Sequence, residues 1–269
     1  MKKAVALLDV DHTLLFDIDD EINENLTRAL LDNGIDRVYL FTDMTLNANV
    51  IEERNRLVKG LEEMGFAVQG VITPNDLVWG VVTTVDAVET HRMCVLDNVY
   101  KGKFHGPDFE TFLQNNHDSF PSIYRAATTY NPSVCVFGEA FNEASLENYR
   151  DQSLSDATKI KSIFAKVLAD HLSQLLGYKH VKGLLFDAFI RQMPAWVSSV
   201  LVFDDNQNVI ADIENFLPVK AATSKINVMI ADTLEEAIIP HTTMVPVTSK
   251  DTPLRHYNSI ISAHLQQLS

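Results

Sequence analysis

Ala4-Val5-Ala6-Leu7-Leu8-Asp9-Val10-Asp11-His12-Thr13 is an apolar run that ends in two carboxylates and a hydroxyl. The unbroken apolar character of Ala4 to Leu8 suits a strand buried on both faces of a parallel sheet. Side chains two apart on an extended strand share a face, so Asp9 and Asp11 are expected to point the same way. In open α/β sheets the carboxyl end of a strand is where ligands bind. Two carboxylates held that close repel, and a divalent cation is the natural neutraliser; magnesium suits hard oxygen donors. One carboxylate can then attack while the other handles protons. The plainer alternative is a strand-to-turn junction in which Asp11 only caps the next element.

Outward from this strand the chain alternates helices with apolar strands. A helical segment around Glu21 to Asp32 leads to Arg37-Val38-Tyr39-Leu40-Phe41-Thr42-Asp43, an apolar strand closed by a hydroxyl and a carboxylate. Helix 47–64 follows, with Val50, Ile51, Leu57 and Leu61 as a broken apolar stripe and Gly65 in the C-cap position. Ala67 to Thr73 reads as the next strand. Beyond a long interval come strands 199–204 and 225–231, then a final helix from about 254 to 268 carrying Ile260, Ile261 and Leu265. The polar segment 241–253 reads as a loop near the site or a linker to that helix. This alternation predicts an α/β fold with a doubly wound parallel sheet.

Asp9-Val10-Asp11-His12-Thr13 matches the D-x-D-x-T signature of the haloacid dehalogenase (HAD) superfamily of phosphatases and phosphotransferases, and the chain resembles that family in three later positions. The resemblance implies that Asp9 is the nucleophile and Asp11 the general acid/base. Thr42, closing its strand, takes the place of the hydroxyl that holds a phosphate oxygen, with Thr13 and Asp43 as neighbouring substrate contacts. The acidic pair Asp204-Asp205, after the apolar strand from Ser199, takes the place of the metal-binding carboxylates, and Asn208 could hold that loop. The implied cofactor is Mg²⁺, bound by Asp9, the backbone carbonyl of Asp11 and Asp204, with Asp205 ligating through water or orienting a ligand. The family's lysine, which steadies the charged intermediate, has two candidate locations. Lys182 precedes Gly183 and has Leu185, Phe186, Phe189 and Ile190 at +3, +4, +7 and +8, the layout of a helix start packed on the sheet. It lies 22 residues before Asp204, room for one helix, a turn at Pro194 and one strand. Lys182 is chosen; Lys159 and Lys161, in the amphipathic segment 155–176, are reserves.

Spacing places an insertion. Thr13 and Thr42 are 29 residues apart, too few for a folded insert, whereas 109 residues separate Thr73 from Lys182. The core is therefore expected at 1–73 and 180–269, with an inserted cap or lid at 74–179. That cap contains apparent strands at 81–85, 93–95 and 134–137. Lys101, Lys103, His105, Arg125 and Tyr130 within it are candidate contacts to phosphate or leaving group.

Composition narrows the partners. With 36 acidic against 22 basic residues the net charge is −14, which argues against nucleic acid or an anionic membrane as partner. Cys94 and Cys135 have no framework spacing, so a reducing, cytoplasmic setting is the default. No His/Cys cluster suggests zinc. No apolar run reaches the roughly 18 residues of a membrane span. The expected activity is a magnesium-dependent phosphomonoester phosphatase acting on a small phosphorylated metabolite or on a phosphoprotein side chain such as phosphotyrosine. The alternatives are a phosphotransferase or mutase on the same site, and a non-enzymatic binding protein that keeps the fold. A finer resemblance over 182–208, to HAD phosphatases that intracellular bacteria deliver into host cells, implies a secreted effector as the other localisation.

Overall fold

A computed structural model of the chain describes residues 3–16, 21–44, 48–74, 76–77, 169–170, 173–174, 177–194, 196–216 and 240–268. The expected strands at 81–85, 93–95, 134–137 and 225–231 lie outside these residues. So do most of the expected cap and of helix 155–176, with Lys159 and Lys161. The described elements run β1 (Lys3–Leu8), α1 (Glu24–Asp32), β2 (Arg37–Phe41), α2 (Ala48–Glu63), β3 (Ala67–Ile72), α3 (Val181–Gln192), β4 (Val197–Asp204), α4 (Gln207–Phe216), β5 (His241–Pro246) and α5 (Leu254–Gln266).

Period-two alternation divides the central strands between two apolar cores. Val5 and Leu7 of β1, Tyr39 and Phe41 of β2, and Val200 and Val202 of β4 pack with α3 and α4. Ala6 and Leu8, Val38 and Leu40, and Leu201 and Phe203 pack with α1, α2 and α5 on the other face. Burial on both faces is why these strands read as continuous apolar runs. Every pairing is parallel, in the order β3-β2-β1-β4-β5. The chain winds outward from β1 to β3, then returns to place β4 on the other side of β1. The carboxyl ends of β1 and β4 thus meet where the strand order reverses, the usual crevice of an open α/β sheet. Leu77 and Ala169, from the ends of the segment expected to form the cap, are buried in the same cluster as α3.

Glycines end two of the helices that feed strands. Gly34 has φ +73° and Gly65 has φ +104°. In each case the two residues after the last turn donate back, Gly65 N–H to Glu62 O at 3.0 Å and Phe66 N–H to Leu61 O at 3.0 Å, which satisfies the last carbonyls.

Two expectations are corrected. The segment 241–253 is not simply a loop: His241–Pro246 pairs with β4, from Ser199↔His241 to Asp204↔Pro246. Thr242, Thr243 and Val245 are β-branched and suit a sheet surface, but most of this edge strand is only half-buried, so it lacks apolar contrast. Pro246 is tolerated at the end of an edge strand. The alternation expected to align Asp11 with Asp9 also stops short, because β1 ends at Leu8. Leu14 and Leu15 N–H both donate to Val10 O, and His12 adopts φ +60°. Asp11 is therefore placed by a turn.

No helix among the described residues is long and apolar enough to cross a membrane. The last helix is tied to the first by polar contacts, Asn33 Nδ2 to Asn258 Oδ1 at 2.7 Å and Ser262 Oγ to Asn33 Oδ1 at 3.0 Å.

A titration is built into the β5–α5 contact. His264 is 1 % exposed, with Nδ1 2.7 Å from Thr243 Oγ1 and its ring stacked on His241 at 4.7 Å. Burial, then the neighbouring His241, pushes its pKa down from 6.5 to about 4. The unfolded chain takes up a proton below about 6.5 while the folded chain resists, so stability is complete above that pH and is lost as pH falls toward 4. Asp9, with its pKa raised to about 7, titrates in the same window with the opposite sign, so the difference between wild type and His264→Gln isolates the effect. In urea unfolding, the stability of the wild type relative to that variant should fall by on the order of 2 kcal/mol as pH drops across those limits; a constant difference would assign the acid sensitivity elsewhere.

Candidate functional site

The register of β1 against β4 pairs Leu8 with Phe203, so the next residues on each strand, Asp9 and Asp204, come abreast. Asp9 follows the phase of Val5 and Leu7, and Asp204 that of Val200 and Val202. Both therefore face the layer that holds α3. From the first turn of that helix Lys182 extends Nζ between them, 2.5 Å from Asp9 Oδ1 and 3.0 Å from Asp204 Oδ2. All three groups are buried. Lys182 Nζ also lies 5.6 Å from the centre of the Phe41 ring.

The remaining acceptors of this cluster are occupied by local structure. Thr13 Oγ1 donates to Asp9 Oδ2 at 3.2 Å, and Asn23 Nδ2 fixes the Thr13 carbonyl at 3.1 Å. Asn206 N–H donates to Asp204 Oδ1 at 2.9 Å. Asn206, not Asn208, supplies the side-chain cap of this loop: its Oδ1 accepts from Asn208 N–H at 3.0 Å.

A lysine in the first turn of a helix opposes the helix dipole, so its position needs support. His180 caps α3, its Nδ1 accepting from Lys182 N–H at 3.2 Å. Asp212 of α4 accepts from the N–H groups of Lys179 and His180, both at 2.7 Å. Gly183 permits that approach, since a Cβ there would lie 2.8 Å from Asp212 Cβ and 2.9 Å from Tyr178 Cδ1. The Lys-Gly pair is thus a cation followed by the one residue small enough to let α4 clamp it.

The charges do not balance. Carboxylate oxygens of Asp9, Asp204 and Asp205 lie within 4.8 Å of one another. Against these three stands the single ammonium of Lys182. Burial raises the Asp9 pKa to about 7; Lys182 pulls it down, while Asp204 and Asp205 push it further up. Burial likewise raises Asp204, with Lys182 opposing. For Lys182, burial works against the charge, but Asp9 and Asp204 outweigh it and hold the pKa above the ordinary lysine value. Three hard oxygen donors with surplus negative charge could hold a metal ion. The Asp11 side chain is not part of this group.

Thr42 is fully buried one residue past β2, in phase with Val38 and Leu40 and so on the α2 face. Its Oγ1 accepts from Arg54 Nη2 at 2.8 Å and from Met44 N–H at 3.1 Å. With both lone pairs engaged, its hydrogen is left to donate. Asp43 Oδ2 stands 3.6 Å from His180 Nε2. Burial lowers the His180 pKa despite Asp43, favouring the neutral ring whose Nδ1 caps α3.

The expected residues Asp9, Thr13, Lys182, Asp204 and Asp205 thus converge, and Thr42 lies at the end of the strand beside β1. Arg54, His180 and Asp212 were not anticipated. For Arg54 there was a signal: it occupies the gap in the broken stripe of α2, three and seven residues before Leu57 and Leu61, in phase with the buried face.

No family model, curated protein or solved structure matches this chain.

Proposed function

We propose that this chain is a magnesium-dependent phosphomonoester phosphatase of the HAD type, working in the cytoplasm through an aspartyl-phosphate on Asp9. The observation that carries this reading is the buried Asp9–Lys182–Asp204 cluster at the point where the strand order reverses. A structural ion pair has no need of three carboxylates around one ammonium, because uncompensated buried charge destabilises the fold. The match of Asp9 to Thr13, Thr42, Lys182 and Asp204-Asp205 to the HAD motifs in their order supports the same reading.

Asp9, Asp204 and Asp205 would hold the magnesium ion, which when bound supplies Lewis-acid stabilisation of charge on the phosphoryl oxygens. Lys182 opposes the rise that burial imposes on the Asp9 pKa and neutralises charge on the transferring group. An Asp9 oxygen attacks phosphorus, forming the acyl phosphate as the ester P–O bond breaks, and Asp11 gives its proton to the leaving oxygen. Asp11 then takes a proton from water as that water attacks phosphorus and releases Asp9. Thr42 donates its hydroxyl to a phosphoryl oxygen. The substrate is a small phosphorylated metabolite or a phosphorylated protein side chain.

The testing experiment is phosphate release from para-nitrophenyl phosphate with magnesium and with EDTA. Release that needs the metal is the expected result. Transfer to an added sugar hydroxyl in place of water would replace hydrolase with phosphotransferase. No release from this ester or from a panel of sugar phosphates, nucleotides and phosphotyrosine peptides would overturn the reading.

A further inference from the structure

Arg54 is a charged side chain on the buried face of α2, only 2 % exposed. A buried guanidinium ordinarily meets a carboxylate. Here Nη2 donates to a neutral hydroxyl, Thr42 Oγ1 at 2.8 Å, while Nη1 is buried with no hydrogen-bond partner among the described residues. Burial lowers the Arg54 pKa, and the carboxylates of Asp11, Glu53, Asp9 and Asp43 favour its charge. The cation therefore sits in the field of the Asp9 and Asp11 turn with part of its fork unused. Arg54 and Thr42 together offer unspent hydrogens, those on Nη1 and the Thr42 O–H, at the end of β2 beside β1. A planar fork with donors to spare suits an oxyanion.

We infer that Arg54 is the second oxyanion anchor of this site, binding through Nη1 a phosphoryl oxygen that Thr42 also contacts, and so selecting a phosphate group. The inference rests on the phosphatase reading and names a residue that reading does not use. In it, Lys182 answers the charge on Asp9 and Asp204, and Arg54 answers the charge that arrives with the substrate. Without an anion the buried guanidinium is under-satisfied, which is the condition a ligand relieves.

The test is calorimetric titration of inorganic phosphate, with magnesium present, into the wild-type chain, Arg54→Lys and Arg54→Ala. Each variant's melting temperature without phosphate checks that it folds. The wild type should bind, and Arg54→Ala should bind roughly 10- to 100-fold more weakly, the size of one lost charged hydrogen bond. Arg54→Lys, less disruptive to folding, should also be weaker, because a point charge cannot hold Thr42 and the anion together. Added guanidinium ion should restore part of the binding to Arg54→Ala, a rescue that a purely structural role would not produce. Phosphate binding within twofold of wild type in both variants would overturn the inference and leave the phosphatase reading standing. Absence of phosphate binding by the wild type would remove both.

Discussion

Asp9→Asn is expected to abolish phosphate release, by on the order of 10⁴-fold or more, without unfolding the chain. The amide keeps the shape of the carboxylate but cannot attack phosphorus, and loss of a covalent nucleophile is among the largest single-residue effects in catalysis. The stability side follows from charge. Asp9 is buried beside Asp204 and Asp205, and its pKa is already raised to about 7. Neutralising it removes repulsion among the three acids, and Lys182 keeps its contact to Asp204 at 3.0 Å. In EDTA above neutral pH the variant should melt no lower than the wild type. Activity gone with stability intact marks a catalytic carboxylate. Phosphate release at the wild-type rate would eliminate Asp9 as the nucleophile.

Lys182→Met should fail differently, in stability as well as rate. Its ammonium is the common partner of Asp9 and Asp204, at 4 % exposure of its own side chain. Removing one partner of a buried ionic cluster leaves uncompensated charge and costs about 3–5 kcal/mol. Urea unfolding in EDTA should show that loss. Magnesium should recover a substantial part of it, because a dication offers the carboxylates another partner and binds only the folded chain. The rate in saturating magnesium should still fall by about 10²–10³, the effect of removing a charge-stabilising donor. Wild-type stability of the methionine variant in EDTA would contradict the picture of Lys182 as the charge that holds the site together.

What could be read from the residues depended on whether a local pattern carried the information. β1 was legible because a strand buried on both faces leaves an unbroken apolar run. Lys182 was legible because Leu185, Phe186, Phe189 and Ile190 fall at helical spacing from it, and all four are buried. β5 was not, since a half-buried edge strand has neither alternation nor an apolar run. The placement of Asp11 could not be read from strand alternation for a backbone reason: the turn that begins at Val10 ends strand periodicity before Asp11. Arg54 looked like an interruption in a helix stripe, because a charge belongs on a buried face only when something distant in sequence needs it. Asp212 shows the limit most clearly. As one acid on an amphipathic helix it resembles any solvated carboxylate, and its role arises only when α4 packs across the start of α3.

The central place of β1 also shapes the life of the chain while it is being made. β1 gains one neighbour, β2, which ends at Phe41, but its other neighbour, β4, begins at Val197. Until that part has been synthesised, β1 has one open edge of unpaired N–H and C=O groups, the kind of surface that pairs with other chains. Over the same interval Asp9 has neither Lys182 nor Asp204 beside it. The growing chain therefore carries Asp9 without the rest of its cluster until β4 is made, and the edge of β1 stays open over the same period. Arrival of β4 ends both conditions at once.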